Sequence, residues 1–468
     1  MRGRQSAGLR SKPAVGLALV LAVTLAGCAS RQTTTAQVDQ TTVSAVPGKP
    51  NPPGPVTELP VPTSGPLTLE SAVQRAVRWH PAVGEAVAKL RQQMEDVNVA
   101  RAGYMPRVSW GIDSGYNSQV DDRYKPMLNL SAAQTIYDFG KIDGRIRVAS
   151  ARVEGRQANI LLAVDDLAHQ TAAALFEVQR YRALVAVARD QIEDTKSIES
   201  LVRSRTDTGA STQSDLLQAQ ARVQAAEATK LQYESNLRRW ESILATTTGI
   251  NGPLQIAGDR PSWIGTACTG GEPDWSRVPA VLEADASRKT AEAQIGLTHA
   301  EELPSIELEG RVGTDVFRVG SSDPEYRVGI NVTGEIFNGG ATAARRNAAD
   351  QALKAAEAAV ARARVDVERS LLESSGQVAS LSGLKETLTR TQRTLKETGA
   401  LYRTQYLELG TRTLLDVLNA DQEFHSARFQ ATNAEYDLRK LSLDCIYNSG
   451  RIRQVFGLTG HKVQGVAL

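Results

Sequence analysis

The stretch Gly410-Thr411-Arg412-Thr413-Leu414-Leu415-Asp416-Val417-Leu418-Asn419-Ala420 has a fainter copy 201 residues earlier, Gly209-Ala210-Ser211-Thr212-Gln213-Ser214-Asp215-Leu216-Leu217. Three more landmarks recur at nearly the same interval. Pro81-Ala82-Val83 returns as Pro279-Ala280-Val281, and Pro106 as Pro304, each 198 residues later. Ile136-Tyr137-Asp138-Phe139-Gly140 returns as Ile336-Phe337-Asn338-Gly339-Gly340, 200 residues later. Order is kept while the interval drifts by only three residues. The chain therefore reads as a tandem duplication of roughly 200 residues, and a repeat decides architecture ahead of any local pattern.

Working outward from the two glycines, each copy has the same parts. No proline falls between Lys141 and Arg205, and Leu161, Leu162, Val164, Leu167, Leu175, Val178, Val185, Ile192 and Leu201 recur at helical spacing. That predicts one helix on the order of 100 Å long. Gly209 breaks it, and a return helix is expected from about Thr212 to Thr246. In the second copy the long helix runs from Ala341 to about Glu408, Gly410 breaks it, and the return helix reaches about Tyr447. Leu381, Leu384, Leu388, Leu395 and Tyr402 fit a heptad seam there, with Thr391 and Thr398 filling the gaps. Upstream, Thr68 can cap a helix through Ala72, Val73, Ala76 and Val77; Pro81 interrupts it, and Gly103 and Pro106 stop it. The second copy's counterpart runs from about Ser276 to Pro304. Between these helices lie four stretches of period two: Val108-x-Trp110-x-Ile112, Leu128-x-Leu130-x-Ala132, Ile306-x-Leu308 with Val312, and Val328-x-Ile330-x-Val332. The fold class is mainly α with a small β part: helix, two strands, long helix, return helix, twice over.

The composition fits long helices with thin seams, at 5% aromatics. The formal charge of +2 comes from Arg2, Arg4, Arg10 and Lys12; without residues 1–27 it is −2, so no basic surface argues for nucleic acid. The basic start, the short apolar run Ala14 to Leu25 and the ending Leu25-Ala26-Gly27-Cys28 resemble a bacterial lipoprotein signal, with Cys28 the lipidated residue. Ala29 follows, where an Asp would suggest inner-membrane retention. A single lipid anchor binds membranes only marginally, so a second membrane contact is expected. Residues 28–66, with eight prolines from Pro47 to Pro66, read as an extended or disordered tether. Cys268 and Cys445 remain, and two thiols in an exported chain suggest a disulfide.

The strands are the odd part of a helical chain. At about ten residues they have the length of membrane-spanning strands. Tyr104, Tyr137, Phe139 and Phe337 sit at one end of the strand pairs, and Tyr116, Tyr124, Phe317 and Tyr326 near the other. Membrane barrels mark their two interfaces in this way; a small soluble sheet capping a coiled coil is the alternative. Four strands cannot close a barrel, and open edges are not tolerated in lipid, so the barrel reading requires oligomerisation, with three copies giving twelve strands.

Leu67-Thr68-Leu69-Glu70-x-Ala72-Val73 with His80-Pro81-x-Val83, and above all Gly410 to Ala420, resemble the TolC-type outer-membrane duct family. The resemblance divides the chain into a signal peptide (1–27), a lipidated tether (28–66), a first repeat (67–250), a linker (251–275), a second repeat (276–455) and a C-terminal tail (456–468). It implies a homotrimer in the outer membrane of a Gram-negative bacterium: a twelve-stranded barrel continued by a helical periplasmic tunnel. Its partners are a periplasmic adaptor, an inner-membrane transporter of ABC or RND type, and outer-membrane lipid. Carried over, Asp416 forms a ring of carboxylates at the constriction, and Arg412 pairs with Ser214 or Asp215. Gly209, Gly410, Thr411 and Leu415 lie where an adaptor touches the tip. Two departures stand out: a second acid of the best-known members is Asn419 here, and a bracing tyrosine falls at Leu407, which implies a weaker latch. Asp416 also reads more plainly as a solvated helix-start carboxylate, and Arg412 as a free surface arginine. The turn looks more like type I protein secretion ducts, while the lipid anchor leans toward multidrug efflux. The five histidines at 80, 169, 299, 425 and 461 show no metal-ligand spacing, and no G-x-S-x-G, phosphate loop or H-E-x-x-H occurs, so neither an enzyme nor a cofactor is expected. A periplasmic coiled-coil adaptor or structural lipoprotein leaves two long hairpins and four strands unexplained.

Overall fold

The computed structural model describes residues 57–58, 65–115, 126–258, 260–269, 272–316 and 324–467. The signal segment, Cys28, most of the proline-rich stretch, and Tyr116, Tyr124 and Phe317 lie outside the described residues. In chain order the elements are β1 (Thr57–Glu58), α1 (Leu69–Trp79), α2 (Pro81–Arg101), β2 (Arg107–Asp113), β3 (Met127–Tyr137), α3 (Lys141–Asp207) and α4 (Gln213–Thr248). Then follow α5 (Pro279–Glu301), β4 (Ser305–Asp315), β5 (Glu325–Thr333), α6 (Ala341–Thr404), α7 (Leu414–Asn448), α8 (Ile452–Val455), β6 (His461–Val463) and β7 (Val466–Ala467). Among the described residues no helix is long and apolar enough to cross a membrane.

Local chemistry sets the boundaries. Thr68 caps α1 by accepting the Ser71 amide at 3.1 Å, and Leu69, Ala72, Val73, Ala76 and Val77 then bury one face. His80 is extended between α1 and α2. Proline disfavours helical geometry in the residue before it and suits the first helical position itself. Val278 before Pro279 repeats this break, so α5 begins at the proline and not at Ser276.

The helices form a curtain with α3 inside. Ion pairs give the register: Arg182–Glu241 at 2.8 Å, Arg189–Glu234 at 3.9 Å and Lys196–Glu227 at 2.9 Å link α3 to α4. One helix advances seven residues as the other retreats seven, which only antiparallel helices can do. On its other flank α3 meets α7, through His169–Asp444 at 2.6 Å, Arg180–Asp437, and Arg428–Asp190 at 2.6 Å. Along its first half α3 packs on α5, where Lys289 bonds Glu154 at 2.7 Å. By contrast, α6 packs chiefly on α5 and α7 among the long elements. Its seam differs from the expected heptad. Leu381, Leu388, Leu395, Thr398 and Tyr402 face inward, but Leu384 and Thr391 are exposed. The alternate positions are four residues on, at Lys385, Gln392, Gly399 and Tyr406. Lys385 binds Glu435 of α7, and Gln392 donates to the Ala427 carbonyl at 3.2 Å. A polar seam of this kind hides from a pattern of leucines.

β2, β3, β4 and β5 form one antiparallel sheet in that order, so the two copies join through β3 and β4. The register lines up Trp110, Leu130, Val312 and Tyr326 in one row across all four strands, and Val108, Ala132, Gly310 and Val328 in another. Ser109, Ser131, Arg311 and Arg327 form a row between them on the opposite face. Trp110 is 77% and Tyr326 79% exposed, so the apolar face is uncovered in the single chain.

The main core lies midway, where Phe176 of α3, Leu443 and Cys445 of α7, Ile452 of α8, Phe456 and Leu458 pack together. Phe176, Trp263 and Phe456 meet edge-on or tilted, with centroids 6.3 and 6.4 Å apart. A disulfide joins Cys268 of the inter-repeat segment to Cys445, with Cα atoms 5.2 Å apart. Segments near both limits of the described residues are built in. β1 pairs in parallel with β6, Leu67 bridges Ile256, and Phe456, Leu458 and Val463 are buried. The stretch read as a tether thus contributes a strand, and the segment set apart as a tail contributes core.

Candidate functional site at the hairpin tips

Both hairpins turn the same way. Gly209 and Gly410 sit at φ +78° and +62°, a left-handed backbone that ends each long helix at little cost only for glycine. Thr212 and Thr413 then cap the return helices, accepting the amides of Asp215 at 3.1 Å and Asp416 at 3.3 Å. Each aspartate reaches back: Asp215 accepts from the Thr212 amide at 3.1 Å and the Ser211 hydroxyl at 2.9 Å. Asp416 accepts the Thr413 amide at 3.0 Å and its hydroxyl at 2.9 Å. These are reciprocal capping boxes. The backbone bond, with the hydroxyl bonds after it, holds both carboxyls below the usual aspartate range. Asp416 is thus a helix-start carboxylate, and it is ionised and solvent-facing at the tip.

Gly209, Gly410, Thr411, Ser214 and Leu415 are all exposed at these turns. Before Gly410 the chain widens into a π turn, Gln405–Leu409. Arg412 lies over the Tyr402 ring at 4.3 Å and donates to Gln405 at 3.3 Å, so within one chain its partners belong to its own hairpin and not to Ser214 or Asp215. Three other contacts cross between the hairpins. Arg205 at the end of α3 lies over the buried Tyr406 ring at 5.0 Å. Arg222 of α4 binds Gln422 and reaches Asn419 at 3.4 Å. About two turns higher, His425 of α7 meets Asp194 of α3 at 3.0 Å. Ile198, Val202, Leu216, Ala219, Tyr406, Leu414, Val417 and Leu418 fill the space beneath the tips, with Leu407 at its margin. The tyrosine wanting at Leu407 therefore has a neighbour, Tyr406, that does bridge the hairpins.

Sequence reasoning passed over Arg205, Arg222 and Tyr406. Arginines on a polar helix face carry no signal of what they touch. It also passed over Asp421 and His425, whose i, i+4 spacing was readable. Burial, and then the charge of Asp194, push the Asp421 carboxyl up to about 6, and burial pushes His425 down.

The pattern that defines the outer membrane efflux protein family matches residues 72–249 and 276–443. The outer membrane efflux protein BepC of Brucella suis is 22% identical over 408 residues, covering 82% of this chain and 86% of that one. The outer membrane protein TolC of Vibrio cholerae is 24% identical over 408 residues, covering 79% and 90%. Among solved structures, the outer membrane protein VceC of Vibrio cholerae superposes with a TM-score of 0.70 at 16% identity, covering 82% of this chain and 96% of that one.

Proposed function

Because the chain belongs to the outer membrane efflux protein family, whose members are passive channels and not enzymes, we propose that it is the outer-membrane exit duct of a tripartite export machine, gated at its periplasmic tip. The observation that carries this reading is the uncovered apolar face of the four-stranded sheet, with rows such as Trp110, Leu130, Val312 and Tyr326. An exposed apolar band with open strand edges is stable in lipid only if the edges pair. Three chains supply twelve strands, closing a barrel, while their helical curtains close a tunnel below it. A periplasmic adaptor contacts the exposed turns at Gly209, Gly410, Thr411 and Leu415, and an ABC or RND transporter loads the duct from the inner membrane. Asp416 rings the mouth, with Asn419 one turn above it. Arg412, exposed at the tip, holds Ser214 or Asp215 of a neighbouring chain when the duct is closed.

The Gly-Thr-Arg-Thr-x-x-Asp-Val-Leu turn supports type I protein secretion as the task. The Leu25-Ala26-Gly27-Cys28 signal supports multidrug efflux as the second reading, with Cys28 lipidated and anchored in the outer membrane. Mass measurement in mild detergent is expected to give three protomers, and a fully folded monomer would reject the duct. Deleting the gene and comparing exported proteins with drug susceptibility separates the two tasks: loss of one exported protein at unchanged susceptibility supports secretion.

A further inference from the structure

The seam between the hairpins holds a group of side chains that the duct reading does not use. Asp194 lies on α3, and Asp421 and His425 lie one turn apart on α7. The ligand-type atoms of the three all fall within 4.8 Å of one another. Nε2 of His425 is 3.0 Å from Asp194 Oδ2 and 3.7 Å from Asp421 Oδ1. His425 is fully buried, and its other ring nitrogen, Nδ1, has no hydrogen-bond partner among the described residues. Without an ion the carboxylates hold the ring proton on Nε2, and an ion bound there takes the place of that proton.

The charges around the group leave it short of a cation. Asp421 has a 15% exposed side chain; it accepts the Thr195 hydroxyl at 3.3 Å, and the imidazole stands 3.7 Å away. Arg428, on the next turn of α7, is committed to Asp190 at 2.6 Å, and Arg403 acts on Asp421 only through its charge. Two carboxylates thus converge on one fully buried imidazole, and among the described residues no lysine or arginine bonds either.

We propose that Asp194, Asp421 and His425 bind one divalent transition-metal ion per chain, of the zinc class, tying α3 of the first hairpin to α7 of the second. One imidazole and two carboxylates suit zinc better than magnesium or calcium, which favour all-oxygen shells. Ligand bonds of about 2.0–2.1 Å imply ligand–ligand edges of about 3.3 Å in a tetrahedral site. The two distances from Nε2 bracket that value, so rotamer-scale adjustment suffices. The Thr195 hydroxyl bonds Asp421 Oδ2, leaving Oδ1 turned toward the site, an outer bond of the kind that orients ligating carboxylates. Asp194, with half its side chain exposed, gives the ion a way in and leaves room for water at a fourth position. The clasp lies roughly 17 Å above the start of α7, counted along the helix to His425. It does not depend on the duct reading.

The test uses the purified full chain in detergent, without a histidine tag, stripped with chelator and titrated with zinc chloride by calorimetry. One zinc per chain is expected, with a raised thermal midpoint. Cobalt(II) should give the visible absorption of a low-coordinate site at the same stoichiometry. Asp421→Asn and His425→Gln should weaken zinc binding by more than about 100-fold, beyond the loss that an outer-shell partner causes. If either buried variant misfolds, Asp194→Asn, at a half-exposed position, decides the matter with the same expected loss. Less than half a zinc per chain in the parent, or parent-like affinity in Asp194→Asn, overturns the proposal.

Discussion

α3 and α6 are the same element of the two repeats, 67 and 64 residues long, yet 25 residues of α3 are buried in the single chain against four of α6. The difference is one of place. α3 lies between α4 and α7 and beneath α2 and α5, so it has neighbours on several flanks and along its length. α6 forms one margin of the curtain and exposes Val365, Leu372, Leu384 and Leu401, while α4 at the opposite margin exposes Leu217 and Leu231. Duplication thus gave one chain two helices of common origin, one a core and the other an edge. An apolar edge of this length needs cover from outside the chain, which is what the proposed trimer supplies.

The contrast breaks most easily in the core. Phe176→Ala empties a fully buried position in α3 and should cost about 3–5 kcal/mol. Leu372→Ala on α6, 73% exposed, should change the chain's own stability by less than about 0.5 kcal/mol. Leu372→Asp should instead weaken the trimer. Thermal melts and native mass measurement read the two effects, and equal melting losses from Phe176→Ala and Leu372→Ala would show that the margin is not a margin.

A smaller loss should follow reduction of Cys268–Cys445. The bond closes a separation of 177 residues and ties the inter-repeat segment to α7 in the main core. Its removal is expected to cost about 2–4 kcal/mol, within the range for native disulfides. Melting with and without reductant checks this, and both thiols should resist alkylation in unreduced protein.

The tips are where the two repeats agree best, and caps test that agreement. Thr212→Ala and Thr413→Ala should each cost about 1 kcal/mol, because the same reciprocal bonds are lost. The aspartates add a pH signature. Their folded carboxyls lie below the ordinary value of 3.8, so the stability they contribute is present above the unfolded range and is lost only as pH falls through the lower folded value. A pore mouth carrying Asp416 should therefore keep its preference for cations as pH falls to 3.8, and Asp416→Ala should weaken that preference at neutral pH. Reversal potentials in planar bilayers measure both.

Much of this was legible in the residues. Glycine breaks, proline starts and period-two stretches act over a few residues, so α3, α4 and the four strands stand close to where periodicity puts them. The seam of α6 was not legible, because Lys385 and Gln392 occupy inward positions and reach polar partners on α7 that sequence spacing cannot reveal. Nor was the embedding of Phe456 and Leu458, since burial of a segment outside the repeats depends on what the rest of the fold leaves open. At the tips, Asp215 and Asp416 were found through the repeat. Arg205 and Tyr406 were missed because each acts across a distance of 201 residues in the chain.

The smallest effects separate two arginines. Arg205 lies over Tyr406 and so joins the hairpins inside one chain, whereas Arg412 lies over Tyr402 inside its own hairpin. A cation–π contact contributes about 0.5–1 kcal/mol at an exposed arginine such as Arg412 and more at the half-buried Arg205, and exposed ion pairs contribute about 0–1 kcal/mol. Arg205→Ala should therefore loosen a single chain's tip by an amount visible as faster amide exchange in α7 near Val417, with the closed-state conductance little changed. Arg412→Ser should leave that exchange alone and raise single-channel conductance, because its proposed hold on Ser214 or Asp215 runs between chains. A reversed pattern would assign the latch to Tyr406 and Arg205 and leave Arg412 a surface residue.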